Sequence, residues 1–199
     1  GSFYTPREIV DFMVDQSLIQ YLATHNPDIN KEDFEKFILK KEIPESFTHK
    51  KSEEISSQIK NIKILDPACG SGAYPMGILT RLYELLTLLS GSSDNNYENK
   101  LTLIENCIYG VDIQPIATQI SKLRFFISLV VEQKVNAEKD NFGIRPLPNL
   151  ETKFVAANTL IGIKKDGGLF EIEKPQYQFL IDEQKLGVDF EKRWSSQIQ

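Results

Sequence analysis

Ile64-Leu65-Asp66-Pro67-Ala68-Cys69-Gly70-Ser71-Gly72-Ala73-Tyr74 reads as a buried strand that ends in an acidic, glycine-bearing turn and then opens a helix. An α/β protein holds a nucleotide-like ligand at such a place. Gly70 and Gly72 permit backbone angles and a close ligand approach that side chains would block. Asp66 repels phosphate and favours an ammonium group or sugar hydroxyls, so the expected ligand is an adenosine derivative with little negative charge near the turn. Phosphate-cradling patterns fit poorly. A G-x-G-x-x-G fingerprint needs glycine where Pro75 stands, and no Gly-Lys-Ser/Thr occurs. Taken alone, Gly70-Ser71-Gly72 also suits a plain strand-to-helix turn of small residues.

Cys107-Ile108-Tyr109-Gly110-Val111 reads as a second buried strand, with Asp112 at its end as an acceptor for the two ribose hydroxyls of an adenosine. Ile113 would then lie flat against the adenine. A dinucleotide fold sets this acid about twenty residues after its glycines. Asp112 follows Gly72 by 40 residues, an excess that fits the polar stretch Ser90-Gly91-Ser92-Ser93-Asp94-Asn95-Asn96 as a surface loop. Before Gln114-Pro115, Asp112 also suits a helix cap. Convergence of Asp66 and Asp112 on one pocket favours binding.

Near the start, Thr5-Pro6-Arg7-Glu8 has the form of a capping box, with Thr5 as cap, Pro6 at the first helical position and Glu8 reaching back. Ile9, Val10, Met13, Val14, Leu18 and Leu22 follow at helical spacing. Phe154-Val155-Ala156-Ala157 reads as a short strand, after which Asn158 suits a turn.

Four separated blocks, Tyr4-Thr5-Pro6-Arg7-Glu8-Ile9-Val10, residues 66–74, Tyr109-Gly110-Val111-Asp112-Ile113-Gln114-Pro115 and Ala157-Asn158-Thr159-Leu160, occur in one order. In that order they resemble the adenine-N6 (amino-group) DNA methyltransferases of bacterial restriction-modification systems, especially the type IIG single-chain enzymes that join methylation to cleavage. The resemblance covers most of residues 3–162, and four ordered blocks are far more specific than any one. It implies an α/β, Rossmann-like S-adenosylmethionine-dependent methyltransferase fold, truncated, with an N-terminal helical segment. Its cofactor would be S-adenosylmethionine. Tyr4, Thr5 and Pro6 would close over the methionine end, while Asp66, Pro67, Ala68, Cys69, Gly70, Gly72 and Tyr74 would form the signature loop. Asp112 and Ile113 would hold ribose and adenine, Asn158 the adenine amino group and Thr159 the ring edge. Two residues depart from the family pattern, since aspartate is common at the place of Asn158 and phenylalanine at that of Tyr74.

The family transfers its methyl group at an Asn/Asp-Pro-Pro-Tyr/Phe block, where polar acceptors hold the amino group and an aromatic ring stacks on the flipped base. No such block occurs here, and Asn26-Pro27-Asp28-Ile29 and Lys174-Pro175-Gln176-Tyr177 lack the paired prolines. The expectation is an N-terminal piece of a catalytic domain with cofactor residues, no catalytic residue and no activity of its own. Gly1-Ser2 suits an expression scar.

Length and composition suit one globular domain. Lys and Arg number 23 against 28 Asp and Glu, a formal charge of −5 and the wrong sign for a nucleic-acid footprint. Double-stranded DNA would therefore be gripped by other parts of the parent enzyme. Cys69 and Cys107, with His25 and His49 far from them in sequence, support neither a disulfide framework nor a metal site. No apolar run is long enough for a bilayer and no signal pattern opens the chain, which makes a cytoplasmic, bacterial location the default.

The expected organisation is an N-terminal helical part (1–60), a cofactor-binding half (61–162) and an incomplete hairpin and C-terminal segment (163–199). Within 28–60, Phe34, Phe37, Ile38, Phe47, Ile55 and Ile59 suggest two surface helices joined near Pro44. Helices are expected over 78–89 and 116–131. Leu123, Phe125, Phe126, Ile127 and Leu129 make the second mostly buried, with Arg124 reaching solvent or a carboxylate. The strand over 62–65 would expose an unpaired apolar edge, drawing self-association or cover from residues 176–199. Readings of other classes are a nicotinamide-dependent oxidoreductase, disfavoured by Pro75, and a non-catalytic interaction or regulatory module that retains the fold.

Overall fold

Three short β-branched or apolar segments pair in parallel: β1 (Ile64–Asp66), β2 (Ile108–Asp112) and β3 (Phe154–Ala156), in the order β1-β2-β3. Ile64, Leu65 and Asp66 stand opposite Ile108, Tyr109 and Gly110, and Gly110, Val111 and Asp112 opposite Phe154, Val155 and Ala156. The computed structural model describes residues 5–91, 96–138 and 140–160. The backbone divides into two units, Gly1–Ile161 and Gly162–Gln199, of which the first is described here. Parallel strands need long crossovers, and helices supply them: α4 (Ala73–Ser90) and α5 (Asn96–Cys107) between β1 and β2, and α6 (Pro115–Val130) between β2 and β3. Because the strands share one direction, Asp66, Asp112 and Ala156 all end at the same sheet edge. The result is a mixed helical protein around a small parallel sheet.

Upstream lie α1 (Arg7–His25), α2 (Lys31–Glu35), which continues as a π-helical turn over Lys36–Lys40, and α3 (His49–Asn61). Val10, Val14, Leu18, Ile19 and Leu22 of α1 are buried, and α1 packs closely along α4. Arg81 of α4 grips Asp15 of α1 through Nε to Oδ1 at 2.7 Å and Nη2 to Oδ2 at 3.1 Å. Asn26, buried after α1, donates to the Leu22 carbonyl and to Gln58 of α3, both at 2.8 Å.

Several expectations are corrected by this packing. Helix α1 begins at Arg7, with Pro6 rather than Thr5 in the cap position, and no side chain caps it. The Pro6 carbonyl accepts from the Ile9 and Val10 amides, so Thr5 falls outside the first turn. Ile9 and Met13 are exposed because the buried stripe runs through positions 10, 14, 18 and 22. The helices expected on either side of Pro44 do form, and Phe34, Phe37, Ile38, Phe47, Ile55 and Ile59 are buried beneath them, with Phe47 packing its ring on Phe34 and Phe37 at 5.6 and 5.1 Å. The 40-residue spacing from Gly72 to Asp112 holds a whole helix, α5, and Cys107 ends that helix instead of opening β2.

Helix α6 is only half apolar inside. Phe125 and Leu129 are buried, but so are Thr118, Ser121 and Lys122, whereas Leu123 and Ile127 face out. The buried stripe of α6 passes over the loop after β1, whose backbone needs polar partners. Nor is β1 buried on both faces. Leu65 is 59% exposed and Val155 41%, because side chains alternate and this second sheet face is bare among the described residues. Pairing only with β2 there, β1 presents an open outer edge.

Gly110, mid-strand in β2, lets Phe154 and the loop approach closely. A methyl at this position would meet the Phe154 ring at 2.7 Å and the Cys69 sulfur at 2.9 Å. Gly110→Ala is expected to destabilise the protein by about 1–3 kcal/mol through overpacking, read as a lowered midpoint in urea denaturation.

Candidate functional site

The loop between β1 and α4 is held by hydrogen bonds from three directions. Its own strand contributes Asp66, whose Oδ1 accepts from the Ala68 amide at 3.0 Å. From β2, the Val111 carbonyl accepts from the Cys69 amide at 2.9 Å, and Asp112 Oδ2 accepts from the Gly70 amide at 2.8 Å. From α6, the Ser121 hydroxyl donates to the Gly70 carbonyl at 3.0 Å. Gly70 and Gly72 lie at φ +54° and +83°, left-handed values that favour glycine. A side chain at position 72 would also strike Ser121 Oγ at 2.9 Å.

Asp112 is a junction. Its Oδ1 accepts from the Gln114 amide at 2.8 Å, turning the chain into α6, and its carbonyl accepts from the Ala157 amide at 2.9 Å beyond β3. Each carboxylate oxygen keeps a second lone pair, so the turn and ligand-accepting roles are compatible. After β3, the Thr159 hydroxyl donates to the Pro67 carbonyl at 3.1 Å, while Asn158 Oδ1 accepts from the Leu160 amide at 3.0 Å, a turn role. Asp66, Pro67, Ala68, Cys69, Gly70, Asp112 and Thr159 thus share one network at the strand ends, with Ile113 exposed beside it. Tyr74, partly buried in the first turn of α4, reaches Ser17 of α1 at 3.5 Å. Thr5 stands apart. It lines a cavity of about 420 Å³ with Ala73, Met76, Gly77 and Arg124, and neither Asp66 nor Asp112 lines that cavity. Tyr4 lies outside the described residues. Motif reading missed Ser121, whose only signal was a hydroxyl at helical spacing from Thr118 and Phe125 on one face of α6.

Burial pushes the Asp66 carboxyl above its ordinary range, and the nearby Asp112 adds to this, while the Ala68 amide opposes it. Burial, with Asp66 beside it, raises the Cys69 thiol to about 11, so it stays protonated and is no nucleophile near neutral pH. Two acids at adjacent strand ends suit a cation or sugar hydroxyls and disfavour phosphate. Among the described residues no cluster of three or more acidic, histidine or cysteine side chains could hold a metal ion, and no helix is long and apolar enough to cross a membrane.

Known proteins carry related sequences. Residues 106–195 match the family described as Eco57I restriction-modification methylase. A protein of Methanocaldococcus jannaschii named as a type II restriction enzyme and methyltransferase is 30% identical over an alignment of 173 residues that covers 81% of this chain and 14% of that protein. The adenine-specific methyltransferase BrxX of Escherichia coli O9:H4 is 33% identical over 132 residues, 59% of this chain and 10% of BrxX. The chain therefore spans about a seventh or less of the length of these curated relatives. No solved structure matches it.

A carboxyl whose folded pKa is raised binds its proton more tightly in the native state. Its charge therefore costs stability, which falls as pH rises from the ordinary carboxylate range through the raised value. Asp66→Asn, which keeps an acceptor for the Ala68 amide, is expected to leave Tm unchanged or higher near neutral pH and to flatten that fall. Melting scans from about pH 4 to about pH 7 check this, and a marked loss of Tm at neutral pH would contradict it.

Proposed function

Because the chain belongs to the restriction-modification methylases, we propose that its strand-end loops bind S-adenosylmethionine for methylation of the N6 amino group of adenine in double-stranded DNA. The observation that carries this reading is the placement of Asp66 and Asp112 at the ends of adjacent parallel strands, each accepting a backbone amide of the same loop, Asp66 from Ala68 and Asp112 from Gly70. Asp66 would take the ammonium group of the amino-acid end and Asp112 the ribose hydroxyls, with Ile113 under the adenine. Two close carboxylates and a positive-φ glycine loop fit such a ligand, which carries no phosphate. Thr5, Pro6 and Tyr4 would close over the methionine end. Asn158 would contact the adenine amino group and Thr159 the ring edge. When bound, S-adenosylmethionine supplies an activated methyl group. The chain's own residues bind and orient it, and the polar and aromatic groups that hold the target base belong to an Asn/Asp-Pro-Pro-Tyr/Phe block not found in this sequence.

On this reading the three-stranded sheet is part of a Rossmann-like fold, with residues 1–60, 61–162 and 163–199 as its N-terminal helices, cofactor-binding half and C-terminal segment. The adenine target follows the name of BrxX, and a fused nuclease of the type IIG kind follows that of the archaeal relative. With a net charge of −5, DNA would be gripped by other parts of a cytoplasmic parent enzyme. A nicotinamide site is disfavoured by Pro75, buried in the first turn of α4. Self-association through the open edge of β1 is also proposed. The alternative cover, residues 176–199, lies outside the described residues.

Calorimetric titration with S-adenosylhomocysteine should give saturable binding, with none for NAD. Asp66→Ala and Asp112→Ala should each weaken it about tenfold or more, since each removes a charged acceptor, with far-UV dichroism unchanged. Binding of NAD alone, or unchanged affinity in both variants, would overturn the assignment. For the edge, light scattering should show dimers or larger species that grow with concentration, and a monomer throughout would count against it.

A further inference from the structure

Gly70 has both its amide and its carbonyl held by side chains from other elements. Its N–H donates to Asp112 Oδ2 at 2.8 Å, and its C=O accepts from Ser121 at 3.0 Å. The Gly70 carbonyl and the Ser71 N–H are opposite ends of one planar peptide group. With the carbonyl drawn toward α6, the Ser71 N–H points the other way. That N–H has no hydrogen-bond partner among the described residues, although every other amide from Ala68 to Gly72 donates one. The Ser71 hydroxyl is likewise buried without a partner there. Both groups are donors left without a protein acceptor, and such a group in a native loop calls for a physical reason.

We infer that Ser121 is a positioning residue: by holding the Gly70 carbonyl it turns the Gly70–Ser71 peptide so that the Ser71 N–H donates to an acceptor on the bound ligand. This rests on the reading above that the loop binds S-adenosylmethionine. Ser121 itself does not touch the ligand. It sits on the buried stripe of α6 between Thr118 and Phe125, and next to Lys122, whose ammonium pairs with Glu151 just ahead of β3. One turn of α6 therefore fixes the glycine loop on one side and the entry to β3 on the other. Glycine at position 72 keeps room for this hydroxyl, since a Cβ there would displace Ser121 Oγ.

The test compares Ser121→Ala with Ser121→Thr, which retains the hydroxyl, and with Ser121→Val, which has the shape of threonine without it. Three readouts are taken: affinity for S-adenosylhomocysteine, protection of the Gly70 amide in hydrogen exchange, and Tm. Loss of one hydrogen bond should weaken binding about five- to tenfold in the alanine and valine variants and lower Gly70 protection, while threonine stays within about twofold of wild type. Equal losses for threonine and valine, or wild-type affinity and protection in alanine, would overturn the inference. A drop in affinity that only tracks a drop in Tm would also overturn it, because general destabilisation would then be the cause. If the wild type binds no S-adenosylhomocysteine, the cofactor reading fails by itself. Gly70 protection in Ser121→Ala then decides the clamp: lowered protection upholds it, and unchanged protection removes it.

Discussion

The hydrogen bond from the Gly70 amide to the Asp112 carboxylate ties the end of the second strand to the turn after the first. Much of the site depends on it. Parallel pairing brings both strand ends to one edge, but pairing alone leaves the turns free to diverge. The charge-assisted bond closes the gap, and the Asp112 main chain then passes the link on to the segment beyond β3 through Ala157. Three loops far apart in sequence thus act as one surface. Because the anchoring group is a carboxylate, that surface is acidic, and with Asp66 beside it a phosphate-bearing ligand is disfavoured on electrostatic grounds.

The helices serve this edge in different ways. Helix α4 and its partner α1 make the apolar floor, with Arg81 and Asp15 locking the two together. Helix α6 carries a mixed stripe, in which Phe125 packs on Phe154 at 4.8 Å while Ser121 and Lys122 reach the loop and the entry to β3. Buried polar groups in a helix are costly unless paired, so their presence marks α6 as the element that satisfies the backbone of the loop. Phe34, Phe37 and Phe47 of the N-terminal part belong to the same buried core as the apolar side of α4.

The chain is kin to the restriction-modification methylases, and its strand-end loops carry two carboxylates, a chemistry that suits a cation or sugar hydroxyls and disfavours phosphate. The relatives are several times longer than this chain. The bare sheet face at Leu65 and Val155 and the open edge of β1 show that the described part does not bury all its apolar surface by itself.

Local patterns were legible in the sequence. The alternation of strand and turn, the glycines that need positive φ, the acids at strand ends and the helices after them could all be read within windows of about a dozen residues. The capping residue of α1, the outward direction of Ile9 and Met13 and the existence of α5 were not. A one-residue shift at a helix start changes no pattern, and an amphipathic stretch between two strands is easily taken for a loop. Everything that couples the loops belongs to tertiary structure alone. The bonds from Asp112 and Ser121 to Gly70, and from Thr159 to Pro67, join residues 42, 51 and 92 positions apart. By itself the sequence determined which residues were available as donors, acceptors and flexible joints. The chain's path through two helical crossovers decided which of them would meet, since a hydrogen bond requires atoms within about 3 Å and periodicity carries no information on that scale across such separations.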